Sequence, residues 1–171
     1  PLSFFIKKNL KNLYLLIIDK NNINNLDYGN MFIECFFNKL VDILNISFEA
    51  EREHHISKGY YSPGYKHNID TIKQNVNDPN MSTYILCNEK LEPISYLYLK
   101  NNENDYDKIF TVCTDNNYRN QGMSSKLLDS MIVNQLNNNK NKMILEVFND
   151  NSINRKDYDV KQKNILNLFN S

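Results

Sequence analysis

The chain has 171 residues, enough for one domain with a sizeable core, and hydrophobic residues make up 41% of it. Lysine plus arginine equals aspartate plus glutamate at 20 each, so charge gives no reason to expect nucleic acid or an anionic membrane as a partner. No apolar stretch approaches the roughly 20 residues that span a bilayer, and no secretory signal pattern opens the chain. We therefore expect a single domain over residues 1–171. Its first residue is Pro1, which leaves open that it is part of a larger protein.

The three cysteines, Cys35, Cys87 and Cys113, lie in apolar stretches of predicted helix or strand, and none belongs to a C-x-x-C pair. This pattern is typical of reduced core thiols in a cytoplasmic protein and disfavours a zinc site. A nucleophilic role for Cys113 is the alternative, but the sequence places no histidine or acidic partner beside it.

The first half of the chain predicts two strands followed by helices. Residues 2–8 and 13–19 are apolar enough for strands. Apolar residues recur at helical spacing over 31–44, and helices are also predicted over 47–58 and 70–76. Between the last two helices, residues 59–65 contain glycine, proline and three tyrosines, which predicts a turn-rich aromatic loop.

The second half changes to the period of strands. Residues 83–87, 93–99 and 108–114 predict a three-strand meander. A helix over 124–136, with Met123, Leu127, Met131 and Ile132 on one stripe and Leu128 and Leu136 beside it, and a strand over 143–148 follow. The spaced apolar residues of 151–170 are enough for a last helix, with room for a short strand. Helices interleaved with a mixed sheet predict a layered α/β (α+β) architecture.

The segment between the third meander strand and the next helix carries the most chemical information. It contains Arg119, Gly122, Ser124 and Ser125 in a short strand-to-helix loop. Such a loop offers unpaired backbone N–H groups and the positive end of a helix dipole. Gly122 allows close approach of a ligand, the two serines can cap the helix, and Arg119 can pair a phosphate or fold back to order the loop. The segment therefore predicts a site for a diphosphate.

Two motifs at matching spacing resemble the GNAT acetyltransferases. In the loop the matching residues are Tyr118, Arg119, Gly122, Leu127 and Leu128, with Ser124 in the place of a small residue. Downstream the matching residues are Leu145, Glu146, Val147, Asn151 and Tyr158. The chain departs from the family pattern at Asn116, where proline is usual, at Thr114, where valine is usual, and after Tyr158, where Gly-Phe is missing.

The resemblance implies a three-layer α/β/α fold with a central, mostly antiparallel mixed sheet. It also implies direct transfer of an acetyl group from acetyl-CoA to a primary amine, with no metal. The residues that the resemblance assigns to acetyl-CoA are Val112, Cys113, Thr114, Arg119, Asn120, Gln121, Gly122, Met123, Ser124, Ser125 and Asn151. Tyr158 stands where the family's general acid often lies, and its phenol could return a proton to the leaving thiolate.

The sequence does not single out the general base or the acceptor amine. The base candidates are Asp107, Glu92, Glu103, Asp115, His54, His55 and His67, or a water chain to a backbone carbonyl. The aromatic loop 59–65 favours a small-molecule amine, with an amino sugar as the first acceptor to test.

Other functions compete with this interpretation. They are N-acetylation of a protein or peptide, a non-catalytic module that binds acetyl-CoA, and a Rossmann-type nucleotide domain. The last is disfavoured because the loop lacks G-x-G-x-x-G and the preceding strands form hairpins rather than crossovers. A homodimer is left open.

Overall fold

A computed structural model describes residues 2–101, 106–140 and 142–145. Over these residues the strands are β1 (Ile6–Leu10), β2 (Leu13–Ile18), β3 (Met81–Cys87), β4 (Pro93–Lys100), β5 (Asp107–Thr114) and β6 (Met143–Leu145). The α-helices are α1 (Met31–Ser47), α2 (Glu49–Ser57), α3 (Ile69–Asn77) and α4 (Met123–Asn137).

The strands form one sheet in the order β1-β2-β3-β4-β5-β6. All neighbours are antiparallel except β5 and β6, which run parallel. Short connections join β1 to β2, β3 to β4 and β4 to β5, whereas the segment with α1, α2 and α3 joins the antiparallel neighbours β2 and β3. Helix α4 makes the crossover that the parallel pair requires. The α/β class and the mixed, mostly antiparallel sheet are confirmed.

Helices α1 and α3 cover one face of the sheet, and we call this the α1 face. Helix α1 is capped by Asn30, whose side chain accepts a hydrogen bond from the Phe32 amide. Its buried stripe includes Phe37 and Leu40, which pack against Ile85 and Tyr96 of the sheet. The stripe follows the 3.6-residue period that predicted the helix.

Helix α4 covers the opposite face, which we call the α4 face. Leu127, Leu128 and Met131 pack there against strand residues that include Tyr84 and Leu97. With helices on both faces, the domain has the three layers that the resemblance implied.

One residue predicted to flank the apolar stripe of α4 does not lie against the sheet. Leu136 is exposed, and Gln135 is buried in the stripe instead. The reason is a polar network: the Gln135 amide donates to the buried Asp107 carboxylate and accepts from the Tyr84 hydroxyl at 3.3 Å. Asn134 donates to the same hydroxyl at 2.7 Å. Hydrogen bonding makes burial of a glutamine tolerable where an isolated amide would be costly.

A bulge interrupts β5 at Phe110. Tyr98 pairs with Thr111 and Leu99 with Ile109, so Phe110 has no partner across the β4–β5 ladder. The extra residue shifts the alternation of faces. Ile109 packs on the α4 face and Cys113 on the α1 face, although two residues four positions apart in a regular strand would share a face. The side chains of β5 after Phe110 therefore point to the opposite faces from those that an unbulged strand would give them.

Two further expectations need correction. The first predicted strand begins later, at Ile6, because Leu2–Phe5 forms a 3₁₀ turn that buries Phe5 against the α1 face. Cys35 is exposed on α1, whereas Cys87 and Cys113 are buried as predicted.

Among the described residues no helix is long and apolar enough to cross a bilayer. The predictions for residues 146–148 and 151–170 lie outside the described residues.

Candidate active site

The loop between β5 and α4 is built from tight, locally capped turns. The Asp115 carboxylate accepts from the Asn117 amide at 2.8 Å and starts a 3₁₀ turn over Asn116–Tyr118. Asn120 and Gly122 then adopt positive φ angles of 61° and 76°. Asparagine and glycine are the residues that tolerate this left-handed backbone best, so the sequence suits the sharp entry into α4.

A row of backbone amides faces no internal acceptor in this loop. The Arg119 amide donates to the Asn116 carbonyl, and the next described backbone bond is from the Lys126 amide to the Gly122 carbonyl at 3.0 Å. The amides of residues 120–125 in between donate no hydrogen bond to any described residue. Three of them belong to the first turn of a 15-residue helix, where the dipole favours an anion.

The serines do not cap the helix as expected. The N-cap residue is Gly122, and its position involves no side-chain cap. The Ser124 hydroxyl instead pairs with the Thr114 hydroxyl at 2.8 Å, and Thr114 pairs in turn with Ser95 at 2.9 Å. This chain of hydroxyls joins β4, the end of β5 and the first turn of α4. It anchors the loop to the sheet, and the backbone amides of the first turn of α4 remain available to another acceptor.

Arg119 folds back onto the protein, one of the two roles predicted for it. Its Nε donates to the Thr114 carbonyl and one terminal nitrogen donates to the Ser47 hydroxyl, both at 3.4 Å. The residue is exposed overall. A guanidinium has five N–H donors, so these two long contacts leave others for an anion at the loop.

The described residues assigned to acetyl-CoA by resemblance lie along one stretch of the chain, from the end of β5 to the first turn of α4. Val112, Cys113 and Thr114 end β5 after the bulge, and the loop and the first turn of α4 follow directly. Within this stretch the Cys113 carbonyl accepts a hydrogen bond from the Ser95 hydroxyl, and the side-chain Nε2 of Gln121 donates to the Asn117 carbonyl. Asn151 and Tyr158 lie outside the described residues.

A pocket of about 260 Å³ opens on the α1 face beside the bulge of β5. Its wall includes Phe110 and Thr111, so it adjoins the stretch of β5 that leads to the amide row. Its charged and aromatic lining residues include Glu51, Arg52, His55, His67, Tyr61 and Tyr98. The pocket therefore collects titratable groups from α2, from the loop before α3 and from β4.

Asn45 of α1 organises one wall of this pocket. Its side-chain amide donates to the His67 carbonyl at 2.8 Å and accepts from the His67 amide at 2.9 Å. The Arg52 guanidinium donates to the Asn45 carbonyl at 2.9 Å. These bonds hold the backbone of His67 against α1 and bring a permanent cation near its ring. Burial and then the Arg52 charge lower the pKa of His67 below its ordinary value.

Tyr98 carries a buried hydroxyl with no hydrogen-bond partner among the described residues. Its side chain is 2% exposed. Burial, followed by the neighbouring Cys113 and Tyr28, raises the pKa of the Tyr98 phenol, so it stays protonated. An unpaired buried hydroxyl is costly and often marks a ligand position.

Stacked and edge-on ring contacts hold the aromatic loop 59–65 against α2, beside the pocket. The Tyr65 ring contacts His67 at 5.5 Å and stacks on Tyr61 at 4.5 Å between centroids. Tyr61 in turn meets His55 edge-on at 5.4 Å. The aromatic loop predicted from the sequence therefore packs onto α2 through its own rings.

The other base candidates lie elsewhere. Asp107 is buried on the α4 face in the network with Gln135, and Asp115 caps the 3₁₀ turn. Glu92 is ion-paired with Lys39 at 3.1 Å, and His54 does not line the pocket. Glu103 lies outside the described residues.

Sequence reasoning missed Tyr98, Glu51 and Arg52. Tyr98 resembles any inward-facing strand residue, and the other two resemble a charged helix surface, so no sequence signal separated them.

The sequence model described as the Acetyltransferase (GNAT) family matches residues 38–160. This range includes the pocket, the β5–α4 loop and most of the sheet. The chain therefore belongs to the GNAT acetyltransferase family. Among the described residues no group of three or more histidine, cysteine, aspartate or glutamate side chains could hold a metal ion.

Solved structures share the fold at low identity. An aminoglycoside acetyltransferase from an uncultured soil metagenomic sample, in complex with trehalose, gives a TM-score of 0.54 at 12% identity, over 90% of this chain and 86% of its own. A GNAT family acetyltransferase of Staphylococcus aureus gives 0.54 at 14% identity, over 90% and 81%. The ribosomal-protein-S18-alanine N-acetyltransferase of Escherichia coli gives 0.52 at 14% identity, over 89% and 76%. The comparison with curated proteins found no match.

Proposed function

We propose that this protein transfers the acetyl group of acetyl-CoA directly to the primary amine of a small molecule. The observation that carries the proposal is the row of backbone amides over residues 120–125, which donate no hydrogen bond to a described residue. Amides aligned at a helix N-terminus fit the diphosphate of a coenzyme, and so do the free donors of Arg119. The family membership of the chain adds independent support.

The proposed binding mode runs from the loop back along β5. The diphosphate contacts residues 119–125, and the pantetheine arm follows the backbone of Val112, Cys113 and Thr114 toward the bulge. Bound acetyl-CoA supplies the thioester whose acetyl group is transferred. Asn151 is proposed as a further hydrogen-bond partner, and Tyr158 as the acid that protonates the leaving thiolate.

The acceptor is proposed to enter the pocket beside Thr111. A volume of about 260 Å³ lies just below the usual range for drug-sized ligands, which favours a single ring or a short chain. The tyrosine rings offer apolar faces to a sugar or an amine stem, and the Glu51 carboxylate offers an opposite charge to an ammonium group. An amino sugar is therefore the first acceptor to test. The buried thiols Cys87 and Cys113 fit a reducing, cytoplasmic compartment.

Two measurements on the full chain test the proposal. Titration calorimetry with acetyl-CoA measures binding, and a free-thiol assay measures turnover with glucosamine, spermidine and a peptide with an N-terminal alanine. We expect binding of acetyl-CoA and turnover with glucosamine. Turnover with the peptide alone would reject the small-molecule acceptor, and binding without any turnover would indicate a non-catalytic module.

A further inference from the structure

The pocket contains one imidazole that is fixed in place yet chemically unengaged. Both backbone groups of His67 bind the Asn45 side chain, so the residue cannot drift from α1. Its Nδ1 is buried without a hydrogen-bond partner, and no hydrogen bond among the described residues uses its ring. The ring makes one edge contact, with Tyr65. A rigidly held histidine with unused nitrogens in a polar pocket is suited to proton transfer.

Burial and the charge of Arg52 favour the neutral form of the His67 ring. Helix α2 presents Glu51, Arg52 and His55, the aromatic loop presents Tyr61, and β4 presents Tyr98. The residues of α3 and β5 that line the pocket carry no charge. Because burial and Arg52 both oppose the imidazolium, the lone pair needed by a base is available at neutral pH.

The other basic groups of the pocket suit the role less well. The His55 ring already contacts the rings of His54, Tyr60 and Tyr61. The Glu51 side chain is a carboxylate, whose negative charge complements an ammonium group. It is better suited to attract that ammonium group into the pocket.

On the basis of the acetyltransferase function above, we propose that His67 is the general base and that Tyr98 positions the acceptor amine through its buried hydroxyl. His67 removes one proton from the acceptor ammonium, and the neutral amine attacks the thioester carbon. The carbon–nitrogen bond forms and the carbon–sulfur bond then breaks. The second proton of the attacking nitrogen reaches the leaving thiolate, and His67 returns its proton to solvent.

A comparison of two nucleophiles tests the role of His67. The amine of the panel with the highest turnover is charged in mildly acid buffer and needs a base, whereas hydroxylamine is largely neutral there and does not. We expect His67→Gln to lower kcat/KM for the charged amine by about 100-fold, the lower end of general-base contributions. Hydroxylamine turnover and acetyl-CoA affinity should change little. His54→Gln is the matched control, because this neighbouring histidine does not line the pocket.

The outcomes separate the two proposals. Equal losses with both nucleophiles would assign His67 a structural role, and unchanged rates with both would exclude it as the base. Failure of the unaltered protein to acetylate any amine would overturn the transferase function itself, together with the role of His67.

Tyr98→Phe tests the positioning role separately. The hydroxyl has no described partner in the unliganded protein, so its removal should leave Tm unchanged or raise it. We expect KM for the amine to rise several-fold while kcat changes less. A lowered Tm with unchanged KM would show that the hydroxyl serves the fold instead.

Discussion

Gly122→Ala isolates the contact between the loop and the coenzyme. Gly122 has a φ of 76°, and a Cβ built there meets no atom within 4 Å. The unliganded protein therefore loses only the backbone preference, roughly 1–2 kcal/mol. For a domain of this size each kcal/mol lowers Tm by about 2–4 °C.

Gly64 provides a matched control. It has the same φ of 76°, and a Cβ there also meets nothing within 4 Å. Gly64→Ala should therefore destabilise the protein about as much as Gly122→Ala. Gly64 lies in the aromatic loop, far along the chain from the row of amides, so the two variants differ in what they place beside a diphosphate.

The affinity for acetyl-CoA should distinguish them. If the diphosphate lies against the amides of residues 120–125, the new methyl group at residue 122 occupies space that the ligand needs. We expect Kd for acetyl-CoA, measured by calorimetry, to rise about tenfold or more, which corresponds to about 1.4 kcal/mol. Gly64→Ala should leave this Kd unchanged. Equal Kd values for the two variants would refute the placement of the diphosphate at this loop.

Three further changes probe the surroundings of the site. Gln135→Leu removes a donor from the buried Asp107 carboxylate, so the free energy of unfolding should fall by about 1–3 kcal/mol in a urea titration, while acetyl-CoA affinity is unchanged. Ser124→Ala breaks the hydroxyl chain to β5 and should cost about 0.5–1.5 kcal/mol by the same measurement, whereas Ser125→Ala should cost less. Because the pKa of His67 is lowered, kcat/KM should fall on acidification only below the ordinary histidine value of about 6.5, and His67→Gln should abolish this acid limb. An acid limb that persists in the variant would assign the titration to another group.

The local patterns of the sequence predicted most of the fold. The helical period over residues 31–44 marks α1, which extends three residues further to Ser47. Each predicted meander strand matches β3, β4 or β5 at one end and is one or two residues shorter at the other. The phosphate loop was predicted because strand, glycine and helix start are adjacent in the chain. Such features depend on neighbours in sequence, which is why periodicity and turn residues identify them.

The features that depend on distant residues could not be predicted. Gln135 is buried because it meets Asp107 and Tyr84, and Ser124 turns to Thr114 instead of capping the helix. From the sequence, His67 is one of seven candidates for the general base. It is distinguished from the others by its backbone bonds to Asn45 and by the nearby Arg52, and both contacts exist only in the folded protein. Partners of this kind are brought together only by packing of the sheet and helices.

The unpaired Phe110 is a spare residue of β5. Its neighbours Ile109 and Thr111 already pair with the consecutive β4 residues Leu99 and Tyr98, so deletion of Phe110 would leave a regular strand with the same register. Cys113 would still face α1, and Thr114 would stay aligned with both serine hydroxyls. The deletion should therefore spare the coenzyme platform, and its effect should fall on the acceptor pocket, whose wall includes the half-exposed Phe110 ring.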